Sequence, residues 1–191
     1  LVAGVLLVWC LRPGLGDTRQ TGTQSAYQWV NLTPKAPFAP RDGAGALVFE
    51  GKLWLIGGWN SRDKNNFPRD CVNDVWSSLN GAEWTLEKSN TFGRPGFDPA
   101  REWEGRHTAG YAVFRNRMWI VGGDAIQRHY QDDVWNSGDG GSWVQVNRGR
   151  KVPWGPRVLY CTLVFKHRIW VVGGQTLPQF ASAEERFYDD L

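Results

Sequence analysis

Three diglycines, each at the end of the same four-residue pattern, constrain the fold of this chain more than any other feature. The pattern is an apolar residue, a tryptophan and two apolar residues, and its copies are 53–56, 118–121 and 169–172. The offsets between the copies carry backwards without a gap for eighteen columns, which begin at Arg41, Arg106 and Arg157. A gapless match of this length at a period near 50 residues indicates a repeated structural unit.

Each unit is predicted to contain four β-strands. In the first unit the predicted strands are 44–49, 53–56, 74–77 and 84–87. Only a short connection separates the first two strands, and Asn80-Gly81 or Asp139-Gly140 separates the last two, which is a strong hairpin signal. The 12 tryptophans and 23 glycines among 191 residues also favour short strands and turns over helices. The sequence therefore predicts an all-β protein.

A recurring unit of four antiparallel strands is typical of a propeller blade. The starting Arg, the apolar-Trp-apolar-apolar-Gly-Gly run and a later Trp make residues 29–191 resemble the Kelch repeat. The third-strand Asp-Val-Trp, at Trp76 and Trp135, is similar to bacterial and algal Kelch-like variants. The resemblance implies a propeller segment whose closing strand carries Trp29 and whose remaining blades belong to a longer protein. Its predicted blades are 41–88, 106–147 and an incomplete 157–191.

The first sixteen residues fit a secretory signal peptide whose start is missing, which leaves 17–191 as the propeller. An eleven-residue apolar run is too short to span a bilayer, and Gly14 and Gly16 are small residues ahead of a cleavage site. A secreted, periplasmic or extracellular protein is expected on this interpretation. The alternative for this segment is a buried strand or a truncated membrane anchor, and the alternative location is the cytoplasm.

Charge and motifs exclude several function classes. Lys and Arg number 22 and Asp and Glu 19, so the net charge of +3 is too small for a dedicated nucleic-acid or membrane-surface protein. Cys71 and Cys161 make neither a disulfide framework nor a zinc site and are expected to be buried thiols. No catalytic motif is found, the three histidines fall in unrelated positions, and no metal or cofactor is expected. The repeated Asp74, Asp133 and Asp190 are expected to accept backbone N–H groups at strand starts.

Strand direction places every long loop on one rim of the unit. The loop before the first strand and the loop after the second lie on the same face, and the tight turns lie on the other. Basic side chains and aromatics that are expected to be exposed, among them Phe92 and Tyr130, populate these loops. A rim of this kind is where a propeller would build a binding site.

An aromatic residue stands three positions before each repeated arginine. This repeated aromatic-arginine pair suggests a ligand site at the mouth of the central channel of the propeller. The candidate ligand-binding residues are Arg41, Arg106, Arg157, Trp59, Trp103 and Trp154. Because no matching repeated acid was identified for the arginines, they are expected to keep hydrogen-bonding capacity for an anionic or sugar-like ligand. The alternative is that each arginine stacks on its aromatic or pairs with a neighbouring blade. The eight tryptophans at repeat positions, Trp29 among them, are assigned to the core.

The resemblance implies a non-catalytic binding scaffold that presents its long-loop face to a protein or carbohydrate partner. The alternative is part of a propeller enzyme that acts on sugars, similar to a sialic-acid epimerase or to galactose oxidase. The copper ligands of the oxidase cannot be matched in this sequence. A ubiquitin-ligase adaptor is a third possibility, although the helical domain that precedes such propellers has no room before Trp29.

Overall fold

The computed structural model describes residues 9–13, 27–62, 71–126, 129–176 and 186–191, and every regular element in these ranges is a β-strand. The strands are β1 (Trp9–Pro13), β2 (Tyr27–Asn31), β3 (Gly45–Phe49), β4 (Lys52–Ile56), β5 (Val75–Ser78), β6 (Thr85–Lys88), β7 (Gly110–Phe114), β8 (Arg117–Ile126), β9 (His129–Ser137), β10 (Val144–Gln145), β11 (Cys161–Phe165), β12 (Arg168–Val172), β13 (Gln175–Thr176) and β14 (Arg186–Phe187). The prediction of an all-β fold is confirmed.

Two four-stranded antiparallel sheets form the centre of the chain. One sheet has the order β3-β4-β5-β6 and the other the order β7-β8-β9-β10, so each is a simple meander. In the first sheet all four strands lie within one residue of the predicted bounds. The rest of the described chain forms two-stranded sheets, which are β1-β2, β11-β12 and β13-β14.

Tight two-residue turns connect the first two strands of each unit. Both turn residues have positive φ in all three copies, and the pairs are Glu50-Gly51, Arg115-Asn116 and Lys166-His167. Such turns match the right-handed twist of the flanking strands, and they fix the register of each hairpin. Phe49 consequently pairs with Lys52, and Phe165 pairs with Arg168.

The diglycines bend the chain at the far end of each hairpin. Gly57-Gly58 and Gly173-Gly174 directly follow β4 and β12, as predicted. In the second unit the prediction is wrong, because β8 continues through Gly122 and Gly123 to Ile126. The pairing register shifts between Val121 and Gly123, and β9 starts early enough to provide a partner for the continuation. The glycines there act as a bulge within a longer strand.

The first strands of successive units lie against one another, with β3 beside β7 and β7 beside β11. Glycines permit this approach. A Cβ atom on Gly45 would lie 2.4 Å from the ring of Tyr111, and one on Gly110 would lie 2.1 Å from Oγ1 of Thr162. The contacts between first strands therefore depend on the absence of side chains at these two positions.

The variant Gly110→Ala is expected to lower the free energy of unfolding by about 1–3 kcal/mol, because the new methyl group would overlap the side chains of Thr162 and Tyr160, which then have to move. Gly138→Ala is the matched control, since its Cβ would meet nothing closer than the Arg117 side chain at 3.6 Å. Urea denaturation of both variants measures the difference. Equal stabilities would show that β7 and β11 are not in close contact.

The main core lies between the two four-stranded sheets. Its buried residues are Phe49, Trp54, Ile56, Val75, Trp103, Met118, Ile120, Trp135 and Trp143. Gly140 admits the ring of Trp54 from the neighbouring sheet, since a Cβ there would lie 2.2 Å from that ring. A second cluster, around Val121 and Tyr160, joins the second sheet to β12.

The repeated tryptophans use the same hydrogen bonds in each unit. Trp54, Trp119 and Trp170 donate from the indole N–H to the carbonyl oxygens of Phe49, Phe114 and Phe165, at 3.0, 2.8 and 2.9 Å. Their burial differs from unit to unit, because Trp54 is buried whereas Trp119 and Trp170 are half-buried. The assignment of Trp29 to the core is wrong, since it is 57% exposed.

The start of the described chain is a strand. Trp9–Pro13 pairs antiparallel with Tyr27–Asn31. The rest of the predicted signal peptide, 1–8 and 14–16, lies outside the described residues. Cys71 is buried as predicted, but Cys161 is exposed, and neither forms a disulfide.

Candidate functional site

The three repeated arginines are buried and bound within their own units. Each one forms a two-pronged ion pair with the repeated aspartate of its unit, and the pairs are Arg41–Asp74, Arg106–Asp133 and Arg157–Asp190. The closest distance from Nη1 to Oδ1 is 2.5 Å in every pair. The same Nη1 group also donates to the carbonyl oxygen of the first glycine of the diglycine, at 2.7–3.0 Å. This frame ties the start of each first strand to the diglycine after the second strand and to the repeated aspartate of the unit.

The expectation that these arginines keep capacity for a ligand is wrong. The repeated aspartates are the matching acids, and the Nε groups donate to the nearby carbonyl oxygens of Ala39, Glu104 and Trp154. The expected role of the aspartates also changes, because their carboxylates accept from the guanidinium groups and from the indoles of Trp76 and Trp135. Arginine and aspartate thus satisfy one another inside the protein.

Electrostatics keep the central pair charged. Burial of Asp133 opposes its charged form, but Arg106 and the indole of Trp135 outweigh that effect and hold the pKa of Asp133 below its ordinary value. Burial also opposes the charged form of Arg106, and the charge of Asp133 nevertheless raises the pKa of Arg106. The stability contributed by Asp133 is present above its ordinary pKa and is lost as the pH falls through its lowered value.

The candidate tryptophans do not form one site. Trp103 is fully buried and packs edge to face on Trp143, with ring centroids 5.7 Å apart. Trp154 is half-buried against the second core cluster. Trp59 directly follows the first diglycine and keeps part of its ring exposed. Among the six candidate residues, Trp59 and Trp154 are therefore the two that are not buried, and they lie apart, Trp59 beside His107 and Trp154 against the second core cluster.

Two aromatics expected to be exposed on that face are instead buried. Phe92 and Tyr130 are both below a tenth exposed. Phe97 packs on Phe92 at 5.4 Å and is half-buried. Other members of the expected set, such as Phe67 and Phe180, lie outside the described residues.

A polar cluster lies where the two four-stranded sheets meet on the long-loop face. We call it the junction cluster, and its members are Asp42, Trp59, His107, Thr108 and Asp124. The backbones of Asp42 and Trp59 exchange hydrogen bonds of 2.9 and 3.0 Å, and those of His107 and Asp124 exchange bonds of 2.8 and 3.0 Å. Asp42 and His107 follow the repeated arginines, and Trp59 and Asp124 follow the diglycines. The repeated frame therefore places four variable side chains side by side.

His107 bridges the two sheets in this cluster. Its Nδ1 lies 3.1 Å from Oδ1 of Asp124 in its own sheet, and its Nε2 lies 3.4 Å from Oδ1 of Asp42 in the other. The ring of Trp59 lies 5.6 Å from the imidazole. Thr108 has a φ of 52°, which is strained for a β-branched residue, and its hydroxyl lies 3.3 Å from Oδ1 of Asp124. Sequence reasoning misses this cluster because it asks only whether the three histidines occupy equivalent positions. The signal that could find it is that His107 directly follows a repeated arginine.

The pKa of His107 lies above its ordinary value. Burial of the imidazole favours the neutral form, but the hydrogen bond with Asp124 and the charges of Asp124 and Asp42 outweigh burial. A group whose pKa is raised on folding contributes stability that is complete below its ordinary pKa, about 6.5, and is lost as the pH rises through the raised value.

We expect His107→Gln to destabilise the protein by about 0.5–1 kcal/mol more at pH 5.5 than at pH 8.5, since glutamine cannot take up the proton. Urea denaturation of both proteins at both pH values checks this. The raised pKa of His129, which its hydrogen bond with Glu104 causes, affects both proteins alike and cancels in the difference. A destabilisation that does not change with pH would show that His107 stays neutral.

A second polar group stands nearby on the same face. Oε2 of Glu104 lies 3.1 Å from Nε2 of His129 and accepts from Nε2 of Gln131 at 2.7 Å. Burial opposes the charged form of Glu104, but these two hydrogen bonds and the positive charges of His129 and Arg106 hold its pKa below the ordinary value. Glu104 and His129 thus form an ion pair beside the junction cluster.

The described part of the chain contains neither a metal-ligand cluster nor a membrane-spanning helix. No group of three or more His, Cys, Asp or Glu side chains there is arranged to hold a metal ion. The same ranges contain no helix with the length and apolar character needed to cross a bilayer.

Comparisons with known proteins inform the fold alone. Neither the known protein families nor the curated proteins contain a match to this chain. Among solved structures, the chain is similar to one described as the structure of YjhT, with a TM-score of 0.61 and 13% sequence identity. The match covers 94% of this chain and 57% of the YjhT chain, so this chain spans little more than half the length of that relative.

Proposed function

We propose that this chain is part of a Kelch-type β-propeller. The four-stranded sheets β3–β6 and β7–β10 and the hairpin β11–β12 would be successive blades, with β3, β7 and β11 as their innermost strands. The contacts of β7 with both β3 and β11 and the crowding at Gly45 and Gly110 support this arrangement. The likeness in fold to the YjhT structure is consistent with it.

Within that fold we propose a non-catalytic binding scaffold whose long-loop face contacts a carbohydrate or a protein. The strand registers support the shared face, because Asp42 pairs with Trp59, His107 with Asp124 and Val158 with Gln175 at one end of the hairpins. The two-residue turns stand at the opposite end. Loops that carry function on a rigid sheet framework are common in proteins of this architecture.

The observation that carries the proposal is the junction cluster. A partly exposed indole lies beside two carboxylates and an imidazole, and the backbone hydrogen bonds of the sheets hold all four groups in place. Indole rings provide a flat apolar surface for the C–H face of a sugar, and carboxylates accept hydrogen bonds from its hydroxyls. Because Asp42 and Asp124 repel anions, a neutral sugar fits better than the anionic ligand that the arginines suggested.

A glycan array followed by titration calorimetry tests the proposal. We expect the array to identify a neutral glycan, and Trp59→Ala and Asp42→Asn each to weaken its binding at least tenfold, about 1.4 kcal/mol. Lys166→Asn is the control on the tight-turn face, and asparagine tolerates the positive φ of 46° at that position.

The control separates the two faces of the scaffold. Binding that survives both long-loop variants but is lost in Lys166→Asn would move the site to the opposite face. Failure of every glycan to bind would contradict the carbohydrate part of the proposal.

A further inference from the structure

Positive charge collects on the tight-turn face, at the turns between the first two strands of the three units. We call this group of side chains the turn patch, and its members are Lys52, Arg115, Arg117, Lys166 and Arg168. Each member stands in one of the turns or is the first residue of the strand that follows it. The net charge of the chain is only +3, so five cations on three turns concentrate its positive charge on one face.

The three turns lie at the same end of neighbouring hairpins. The N–H of Thr108, ahead of β7, donates to the carbonyl oxygen of Gly43, ahead of β3, at 3.2 Å. A Cβ on Gly110, at the start of β7, would lie 2.1 Å from Oγ1 of Thr162, at the start of β11. Because the starts of these strands lie together, the turns that follow them lie together at the opposite end. The middle turn has a neighbouring hairpin on each side.

Four members of the turn patch have no neutralising carboxylate. Within the described residues, Lys52 is paired with Glu87 at 3.5 Å, and the other four members form no ion pair. Arg117 donates to the neutral side-chain oxygen of Asn136 at 3.3 Å, which leaves its charge uncompensated. These four cations are therefore available to an anion from outside the chain.

The acidic residues at this end of the hairpins do not cancel the charge of the second and third turns. In the first unit Glu50 occupies the position that Arg115 has in the second, and Glu83 lies on the outer turn of that first unit. Asp139, on the outer turn of the second sheet, accepts from backbone N–H groups of its own turn. The turns 115–117 and 166–168 consequently carry four cations and no acid.

The backbone of the turns does not explain the choice of cations. Arg115 and Lys166 are exposed and have φ of 49° and 46°, where Asn, Asp and Gly are the favoured residues. Their charged groups lie over the rings of Phe114 and Phe165, 5.1 and 5.3 Å from the ring centroids. Such contacts orient a cation and keep its N–H groups available to an acceptor. Long cationic side chains at strained turn positions indicate a role in binding.

We propose that the turn patch binds a linear anionic polysaccharide through its sulfate or carboxylate groups. Arginine binds either group with two parallel hydrogen bonds, and lysine binds either as a point charge. A polymer with anions on successive sugar units contacts neighbouring turns at once, so that weak contacts combine into one affinity. The five-residue strand β7 is about 17 Å long and separates this site from the junction cluster.

The character of the turns favours a polysaccharide over other polyanions. Residues 115–117 and 166–168 are all polar, whereas a protein interface is built around buried aromatic or aliphatic anchors. Proteins that bind single-stranded nucleic acid add aromatic side chains on which bases stack. The two rings beside these turns, Phe114 and Phe165, instead each have a cation over one face.

Titration calorimetry of the 191-residue chain with dextran sulfate, polygalacturonate and uncharged dextran tests the proposal. We expect at least one of the anionic polymers to bind, which also identifies the anionic group, and we expect dextran not to bind. The logarithm of the affinity should fall against the logarithm of the salt concentration with a slope of about −3. This slope follows from four contacts that each release roughly 0.7 counterion.

The variant with both Arg115→Asn and Lys166→Asn removes two charges from the turn patch. Because asparagine is favoured at positive φ, the variant should keep a urea midpoint close to that of the parent chain. We expect its affinity for the anionic polymer to fall at least about tenfold. Arg117→Gln, at the start of β8, gives a second measure, with an expected loss of about threefold.

Arg101→Ala is the matched control for these variants. It removes one charge from a side chain that is 86% exposed and lies outside the turn patch, and it should weaken binding less than about twofold. Trp59→Ala should leave binding of the anionic polymer unchanged, so this proposal and that of a neutral glycan on the long-loop face can fail separately.

Three results would overturn the proposal. Failure of both anionic polymers to bind would exclude the site. A loss in Arg101→Ala equal to that in the double variant would show that the whole surface, and not the turn patch, attracts the polymer. A single-stranded oligonucleotide that binds more tightly than a sulfated polymer of the same charge would assign the turn patch to nucleic acid.

Discussion

Replacing Arg106 with alanine is expected to lower the free energy of unfolding by about 3–5 kcal/mol. The side chain is fully buried, and its removal leaves the Asp133 carboxylate without its cationic partner. It also leaves the carbonyl oxygen of Gly122 without the donor at 2.7 Å. An uncompensated buried charge is among the most damaging consequences of a single substitution.

Arg101→Ala is the matched control for that result. Arg101 contacts Asp98 through a side chain that is 86% exposed, and an exposed ion pair of this kind contributes about 0–1 kcal/mol. Urea denaturation of both variants at neutral pH gives the comparison. If both arginines cost the same, Arg106 is not a structural residue, and its role as a ligand contact would have to be reconsidered.

Truncation of Trp103 is the second large effect we expect. Trp103→Ala should cost about 3–5 kcal/mol, because it removes a fully buried indole that packs on Trp143 within the main core. Trp59→Ala should cost less than about 1 kcal/mol, since Trp59 is partly exposed and its ring contacts His107 at the surface.

The two tryptophan variants distinguish a residue that stabilises the core from one that is available to bind a ligand. The change in denaturation midpoint with an unchanged m-value measures each cost. A cost below about 1 kcal/mol for Trp103→Ala would show that Trp103 is not a core residue. Equal costs for the two variants would show that the structure does not distinguish a core tryptophan from a surface one.

The strands and their order were predictable because their signals are local. Alternation of apolar residues, the two-residue turns and the Asn80-Gly81 turn lie within a few positions of the strands they define, and they repeat at a fixed offset. Their bounds in the first sheet are therefore correct to within one residue. In the second sheet β8 extends beyond the diglycine and β9 begins before Asp133, because these two extensions pair with each other and neither is marked by a local signal.

The candidate site was less predictable because its partners are distant in sequence. Arg41 and Asp74 stand 33 residues apart, as do Arg157 and Asp190, and Arg106 and Asp133 stand 27 apart. Both halves of each pair were recognised as repeats, but nothing local shows that one half binds the other. The burial of Trp103 was unpredictable for the same reason, because the residue that it packs on, Trp143, is distant in sequence.

The junction cluster consists of residues at variable positions that directly follow the repeated arginines and diglycines. Positions that repeat, such as Arg106, serve the structure, whereas the positions directly after them vary between units. Asp42, His107 and Val158 occupy one such position, and Trp59, Asp124 and Gln175 occupy the other. Variable residues on a constant backbone are where a repeat protein places recognition.

A double-mutant cycle on Arg106 and Asp133 tests most directly the claim that each repeated arginine is a structural residue that binds the aspartate of its own unit. The cycle compares Arg106→Met, Asp133→Leu and the double variant by urea denaturation. We expect each single variant to cost about 3–5 kcal/mol and the double variant to cost much less than their sum, because apolar replacement of both partners leaves no buried charge unpaired. Costs that add to within about 0.5 kcal/mol would contradict the claim.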